Sequence, residues 1–372
     1  AVCWRRAGRE DRVLAALRDV KRLAGGAVSL GGREAAVFDT EDTALAWLDR
    51  LTGPLPDPAG PAGDDWLVFR GGPRRNAAAA AAVPLDDTAW HYSTLKYEPL
   101  VAPVGKQPPP EDIAAHFKSL VEQHEGTNFL DLPATYPLII GDRAVIRTLN
   151  NVRALDLEEG RPRWERAGDD RSFSQLVENG KNVTVRRGAG SQPALEMFIT
   201  QRLWRDVTNG TISSDGEQIY SVEDLGFLGF FGHNFRSPKH PLAPGEASTL
   251  MAFDLDGKLR WMIGGEEGEY ALDKHAGTFF LGPPLPLDGT LYCLVEQKGE
   301  ISLLALHPED GRGLWKQTLV MPEAPLSLSP LRRMAGSAPA FGYGVMVCPT
   351  ESGMVIGVDL ARRRLLWGYR YD

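Results

Sequence analysis

Four tryptophans, Trp164, Trp261, Trp315 and Trp367, each close a short segment of one recurring form. The segments read A-L-D-L-E-E-G-R-P-R-W, A-F-D-L-D-G-K-L-R-W, A-L-H-P-E-D-G-R-G-L-W and G-V-D-L-A-R-R-R-L-L-W. The last three tryptophans are spaced roughly fifty residues apart, the length of one supersecondary unit in a repeat fold. That period, with a fixed aromatic marker, predicts a β-propeller blade: a small antiparallel sheet that buries its faces only by stacking on a neighbour. Each segment explains its own turn. Asp156, Asp254 and Asp359 can accept backbone N–H bonds, while Gly160, Gly257 and Gly311 permit positive φ. The tryptophan is then expected to lie flat between blades, burying its ring while its N–H finds a backbone acceptor. Two positions depart from the pattern, His307 where Asp is expected and Arg363 where Gly is expected.

The chain divides into three parts. Residues 1–52 read as a helical segment, with Val13, Leu14, Leu17, Val20 and Leu23 at helical spacing and Leu45, Trp47, Leu48 and Leu51 on a second helix. Between them, A-V-S-L-G-G-R-E-A-A-V-F predicts a small hairpin. Residues 53–64 form a linker rich in Pro and Gly. Residues 65–372 form a mainly β, partial propeller of about four recognisable blades. The strand Trp66–Phe69 is expected to complete a blade whose other strands lie far away in sequence. The interval between Trp164 and Trp261 is nearly twice the others, and A-L-E-M-F-I-T-Q-R-L-W-R-D predicts a helical insertion near residues 193–205. A second helical insertion is expected near 111–124, and a loop insertion over 226–245. With recognisable motifs at only four places, the chain is expected to be a piece of a longer ring.

Composition narrows the partners. The formal net charge is −8, which gives no general attraction to nucleic acid or anionic lipid. No apolar run is long enough to span a membrane as a helix. Three cysteines, Cys3, Cys293 and Cys348, make no disulfide framework. Cys293 and Cys348 occupy matching places in consecutive repeats and are expected to be buried free thiols. The histidines lack metal-ligand spacing, and hydrolase and P-loop motifs are absent.

The pattern A-x-D-x-x-x-G-x-x-x-W resembles the repeat of the PQQ (pyrroloquinoline-quinone) propeller superfamily, over roughly residues 134–372. That superfamily holds both quinoprotein alcohol dehydrogenases and non-enzymatic BamB-like envelope proteins. The opening C-W-R-R-A-G-R-E-D-R-V-L-A-A-L resembles the end of a tetratricopeptide-type region. Helical repeats ahead of an interrupted propeller are most similar to the BamB-like group. The resemblance implies a non-catalytic scaffold for protein partners in the bacterial cell envelope, periplasmic or secreted, with no cofactor. The alternatives are a PQQ- and calcium-dependent alcohol or sugar dehydrogenase, and a ligand-sensing ectodomain of a larger receptor. For the enzyme, the expected adjacent Cys pair is missing and no Glu/Asn/Asp calcium set maps onto this chain. The tryptophans and their turn residues therefore read as structural. The candidate partner contact is the insertion carrying Phe227, Phe230, Phe231, Phe235, Arg236 and His240, since long aromatic loops on rigid scaffolds favour recognition.

Overall fold

A computed structural model describes residues 1, 4–5, 10–30, 33–52, 65–77, 89–92, 118, 122, 135–149, 151–167, 184–187, 190–223, 247–265 and 275–371. Within it, four antiparallel sheets follow one another along the chain. Blade 1 runs β3 (Leu138–Ile140), β4 (Arg143–Arg147), β5 (Asn151–Asp156) and β6 (Pro162–Ala167). Blade 2 holds β9 (Ile212–Ser214), β10 (Gln218–Glu223), β11 (Thr249–Asp254) and β12 (Leu259–Gly264). In blade 3 the inner edge is split between β13 (Phe279–Phe280) and β14 (Leu285–Leu287), both paired to β15 (Thr290–Gln297), followed by β16 (Glu300–Leu306) and β17 (Gly313–Val320). Blade 4 is β18 (Ala340–Gly342), β19 (Val345–Pro349), β20 (Met354–Asp359) and β21 (Arg364–Arg370). Blades 1, 2 and 4 are up-and-down meanders whose strands pair in sequence order, the blade pattern predicted from the tryptophan repeat, and blade 3 departs from it only at its split edge.

Stacking explains why the middle blades lack polar alternation. A strand covered on both faces reads as a continuous apolar run. In blade 3, Leu291, Cys293, Val295, Leu304 and Leu306 join one core with Tyr220, Val222, Ala252 and Trp261 of blade 2. The alternate residues Tyr292, Leu294, Leu303 and Ala305 join a second core with Met346, Ile356 and Val358 of blade 4. Fully burying one such side chain contributes roughly 1.5–3 kcal/mol, so the stack is held chiefly by these seams. Blades 1 and 2 share a third core built on Leu138, Val145, Val152, Ala154, Ile212 and Ile219.

One irregularity recurs. In every blade the register between the last two strands shifts at the repeat motif: after Ala154, Ala252, Ala305 and Gly357. A bulge bends the strand and re-aims the side chains beside it. Here each shift lies next to the marker tryptophan, which faces the small residue preceding the bulge: Ala154 opposite Trp164, Ala252 opposite Trp261, Ala305 opposite Trp315 and Gly357 opposite Trp367.

The N-terminal residues build a unit of their own. Helix α1 (Glu10–Leu23), the hairpin β1 (Ala27–Leu30) and β2 (Arg33–Ala36), and helix α2 (Glu41–Thr52) enclose Val13, Leu17, Phe38, Ala44, Trp47 and Leu48. Trp47 Nε1 donates to the Ala36 carbonyl at 2.6 Å, tying α2 to the hairpin. Glu41 and Asp42 in the first turn of α2, and Lys21 and Arg22 in the last turn of α1, match the helix dipoles. Between blades 1 and 2 lie the hairpin β7 (Thr184–Arg187) and β8 (Gly190–Pro193), helix α3 (Ala194–Trp204) and a single turn, α4 (Val207–Gly210). A similar short helix, α5 (Pro330–Met334), precedes blade 4. Of the helix expected near 111–124 only Lys118 and Glu122 are described, 3.9 Å apart as an i,i+4 ion pair; the rest lies outside the described residues.

Candidate functional site

The repeat motif places Trp164, Trp261 and Trp315 against the turn of the following blade. Trp164 Nε1 donates to the Leu255 carbonyl at 2.8 Å, and Trp261 Nε1 donates to the Pro308 carbonyl at 2.7 Å. Both carbonyls belong to the residue directly after the turn Asp or its equivalent. The ring fills the space over the turn glycine: a Cβ on Gly257 would come within 2.6 Å of the Trp164 ring, and one on Gly311 within 2.8 Å of Trp261. These glycines also hold φ near +79° and +67°. The turn acids close their own loops. Asp156 Oδ1 accepts the amides of Glu158 and Glu159 at 3.0 and 2.9 Å, Asp254 Oδ1 those of Asp256 and Lys258, and Asp359 Oδ1 that of Arg362. His307 does the same work with Nδ1, which accepts the Glu309 amide at 3.3 Å.

Trp90 belongs to the series, although the sequence pattern does not reveal it. Its Nε1 donates to the Leu157 carbonyl at 2.9 Å, and its ring lies over Gly160, where a Cβ would approach to 2.4 Å. No D-x-x-x-G turn precedes Trp90, so the only legible signal was the aromatic cluster A-W-H-Y. Beside it, Tyr92 meets the buried Arg153, whose guanidinium also pairs with Glu165 at 2.8 Å.

The inner edges of the blades surround the axis, and here the chain itself crosses them. Trp66 pairs with Ile139 of blade 1 through two backbone bonds of 2.8 and 3.1 Å, and Asp65 accepts the Gly141 amide. The Leu67 carbonyl takes the Ser214 amide of blade 2, and the Pro73 carbonyl takes the Phe341 amide of blade 4. Val68 is buried with residues of blades 3 and 4. Trp66 thus joins a blade far away in sequence, as the sequence suggested, but by one isolated antiparallel bridge to the edge of blade 1 rather than as a full strand. A tight turn over Val68–Gly71 sends the chain across the axis instead, with Arg70 and Gly71 both at positive φ. Arg75 fastens the far side, donating to the Phe69 and Pro339 carbonyls at 3.0 and 3.2 Å. Burial, with Arg70 nearby, lowers its pKa to about 10.

At the opposite ends of the same strands, buried charges are matched. Arg147 is bonded to both carboxylate oxygens of Glu223, to Ser221 and to Asn209 of α4, linking blades 1 and 2. Arg332 of α5 holds Glu296 of blade 3 at 2.7 Å, and Arg202 pairs with Asp206. Thr208 accepts the Gly336 amide and donates to the Arg333 carbonyl, joining α4 to the segment after α5. Cys293 and Cys348 are buried free thiols on equivalent strands; burial raises both, Cys348 to about 12.

The aromatic insertion with Phe227, Phe230, Phe231, Phe235, Arg236 and His240 lies outside the described residues. The structure therefore brings together the seam tryptophans with their turn residues, and does not describe the candidate contact loop.

No protein-family model matches this chain, and no curated protein matches it. Among solved structures it is similar to BamB from Moraxella catarrhalis, at 15% identity and TM-score 0.35, covering 62% of this chain and 50% of that one. A europium-containing methanol dehydrogenase matches at 13% identity and TM-score 0.36, covering 63% and 41%. The quinohemoprotein alcohol dehydrogenase from Comamonas testosteroni matches at 14% and 0.36, covering 63% and 34%. The chain spans half or less of the length of each. The tryptophan seams decide the architecture from within the molecule itself. The fold is a β-propeller-type stack of four-stranded antiparallel blades.

The resemblance to quinoproteins would place PQQ and calcium at the axis. The described residues do not fit them. The turn end of the axis is crossed by Asp65–Ala77, and the acids at the other end, Glu223, Glu296 and Asp206, are each already held by an arginine. Among the described residues no three His, Cys, Asp or Glu side chains converge as a metal site.

Proposed function

We propose that this chain is a non-catalytic propeller scaffold that holds protein partners in the bacterial cell envelope. One observation carries the reading: the segment from Trp66 to Arg75 is hydrogen-bonded to blades 1, 2 and 4 across the ground where a quinoprotein would keep its redox cofactor. With the axis occupied by main chain, what remains for recognition is the outer surface of a rigid stack of sheets. Loops on a rigid scaffold are well suited to that task. The envelope setting is proposed from the resemblance of the repeat to BamB-like proteins. The chain has no described helix long and apolar enough to cross a membrane.

The test pairs two measurements. Titration with PQQ and Ca²⁺ is expected to give no saturable heat, and no dye-linked oxidation of ethanol or glucose. Saturable binding accompanied by turnover would falsify the scaffold reading. Site-specific photocrosslinking from the blade surfaces in living cells, followed by fractionation, is expected to yield a defined envelope protein. Recovery of the chain in the cytosol with no crosslinked partner would remove the envelope assignment.

A further inference from the structure

The segment that crosses the axis reads R-G-G-P-R-R over residues 70–75, and its three arginines reach no carboxylate among the described residues. Arg75 is the most enclosed. It donates to the Phe69 and Pro339 carbonyls, and its remaining guanidinium donors have no acceptor among the described residues. Arg70 lies close enough to oppose the charge on Arg75 rather than neutralise it. Arg70 stands 5.3 Å from the centre of the Phe69 ring and Arg74 stands 5.0 Å from that of Tyr343, both arginines being exposed. A guanidinium that has lost much of its water and faces a second cation is costly unless an anion meets it.

Elsewhere on the same face the arginines come already paired. At the turn ends of blades 1 to 3, Arg143, Arg161, Arg163, Arg260 and Arg312 each lie within 4.0 Å of an Asp or Glu. In a chain of formal net charge −8, cations left without such partners run against the average. The backbone also holds this group in an uncommon shape. Arg70, Gly71 and Arg75 sit at φ of +62°, +82° and +58°. A Cβ on Gly71 would come within 2.7 Å of Ala77 and 3.0 Å of the Trp66 ring, so the turn is closely packed. The bonds of Pro73 to Phe341 and of Arg75 to Pro339 pin it to blade 4. Backbone held in sparsely populated conformations is concentrated at ligand clamps.

We propose that Arg70, Arg74 and Arg75 form an oxyanion site on the crossing segment that takes a phosphate dianion, free or borne on a larger molecule as a monoester. Planar guanidinium forks match phosphate oxygens two at a time, and several cations around one group favour a dianion. Arg75 supplies the fixed, partly dehydrated donors, while Arg70 and Arg74 reach the ligand from the exposed side. Tyr343 holds Arg74 at the rim. The site lies at the turn end of the axis, away from the matched charges of Arg147 and Arg332, and binding there neither requires nor excludes a protein partner on the blades.

Calorimetric titration of the chain with inorganic phosphate tests it, at low salt and mildly alkaline pH, with succinate as a carboxylate of the same charge. Phosphate is expected to saturate a single site, and succinate to bind at least about tenfold more weakly. Arg70→Gln and Arg74→Gln change exposed side chains, so both should melt with the parent. Each should weaken phosphate about tenfold or more, the effect of one charge-assisted hydrogen bond. Arg161→Gln, an exposed change on the blade 1 turn, should leave phosphate binding unchanged. No saturable phosphate binding overturns the proposal, as do equal affinity for succinate and unchanged affinity in the Arg70 and Arg74 variants. Phosphatidylcholine vesicles doped with phosphatidic acid separate the two sources. Flotation that free phosphate displaces, and that Arg70→Gln abolishes, assigns the site to a lipid headgroup. Phosphate binding without such flotation assigns it to a soluble phosphate.

Discussion

The Arg363 guanidinium lies 5.6 Å from the centre of the Trp315 ring, at the turn position where Gly160, Gly257 and Gly311 receive the other seam tryptophans. A cation over an indole face replaces the close backbone approach that glycine allows elsewhere, and Arg363 adopts φ of +52° to make it. The same seam is thus built in two chemical ways.

Those two ways predict opposite tolerance. Gly257→Ala forces a Cβ to within 2.6 Å of Trp164 at a positive φ, and should cost about 2–4 kcal/mol. Arg363→Gly relieves backbone strain while losing the cation, so it should change stability by less than about 1 kcal/mol. Urea unfolding of both variants checks the contrast.

The indole N–H bonds give a second comparison. Trp164→Phe keeps an aromatic ring but leaves the Leu255 carbonyl without its donor, an expected loss of about 1–3 kcal/mol. Trp367→Phe in residues 1–372 alters an exposed side chain and should fall within about 0.5 kcal/mol of the parent. Equal losses at both positions would contradict the seam.

Arg147 and Glu223 bridge blades 1 and 2 while almost fully buried. Arg147→Met leaves a buried carboxylate without its partner and should cost about 3–5 kcal/mol. Arg147→Met combined with Glu223→Leu removes both charges and should recover most of that loss. A double-mutant cycle by calorimetry measures the coupling, and simple additivity would refute it.

Acid should loosen the rim of blade 1. Arg163 bonds both Asp142 and Asp156, and these bonds hold the two carboxyls below the usual aspartate range. A carboxyl with a depressed folded-state pKa contributes stability above its unfolded value of about 3.9, and loses it as pH falls through the folded value. The advantage of the parent over Arg163→Gln should therefore be constant near neutrality and shrink below about pH 4. Thermal melts from pH 7 to pH 3 report it, and 0.5 M salt should reduce the difference throughout because the pair is at the surface.

The blades were legible in the sequence because the repeat motif is local, even though the seam bond it makes is not: Trp164 and its Leu255 acceptor lie 91 residues apart. Each Trp, turn Asp and turn Gly fall within eleven residues, so their spacing carries the geometry. His307 and Arg363 broke the pattern only in residue type, since a ring nitrogen and a cation can serve the same positions. What stayed hidden was non-local. Trp90 joins the series without a turn of its own before it, and its acceptor Leu157 lies 67 residues away. The charge matching of Arg147 with Glu223 spans 76 residues, a pairing that no periodicity announces. The Trp66 segment shows the same effect, because an apolar strand at an axis and one in a blade have the same composition.

That axial segment also orders events in time. Arg75 meets Pro339 across 264 residues, and Pro73 meets Phe341 in the last blade described. During synthesis the centre of the ring is made before any of its walls, and each blade must be laid down around a strand already waiting there. Contacts of such sequence separation form late and slowly. A chain trimmed to just past Ala77 would keep its four blades and their seams, yet would have to close around an empty centre.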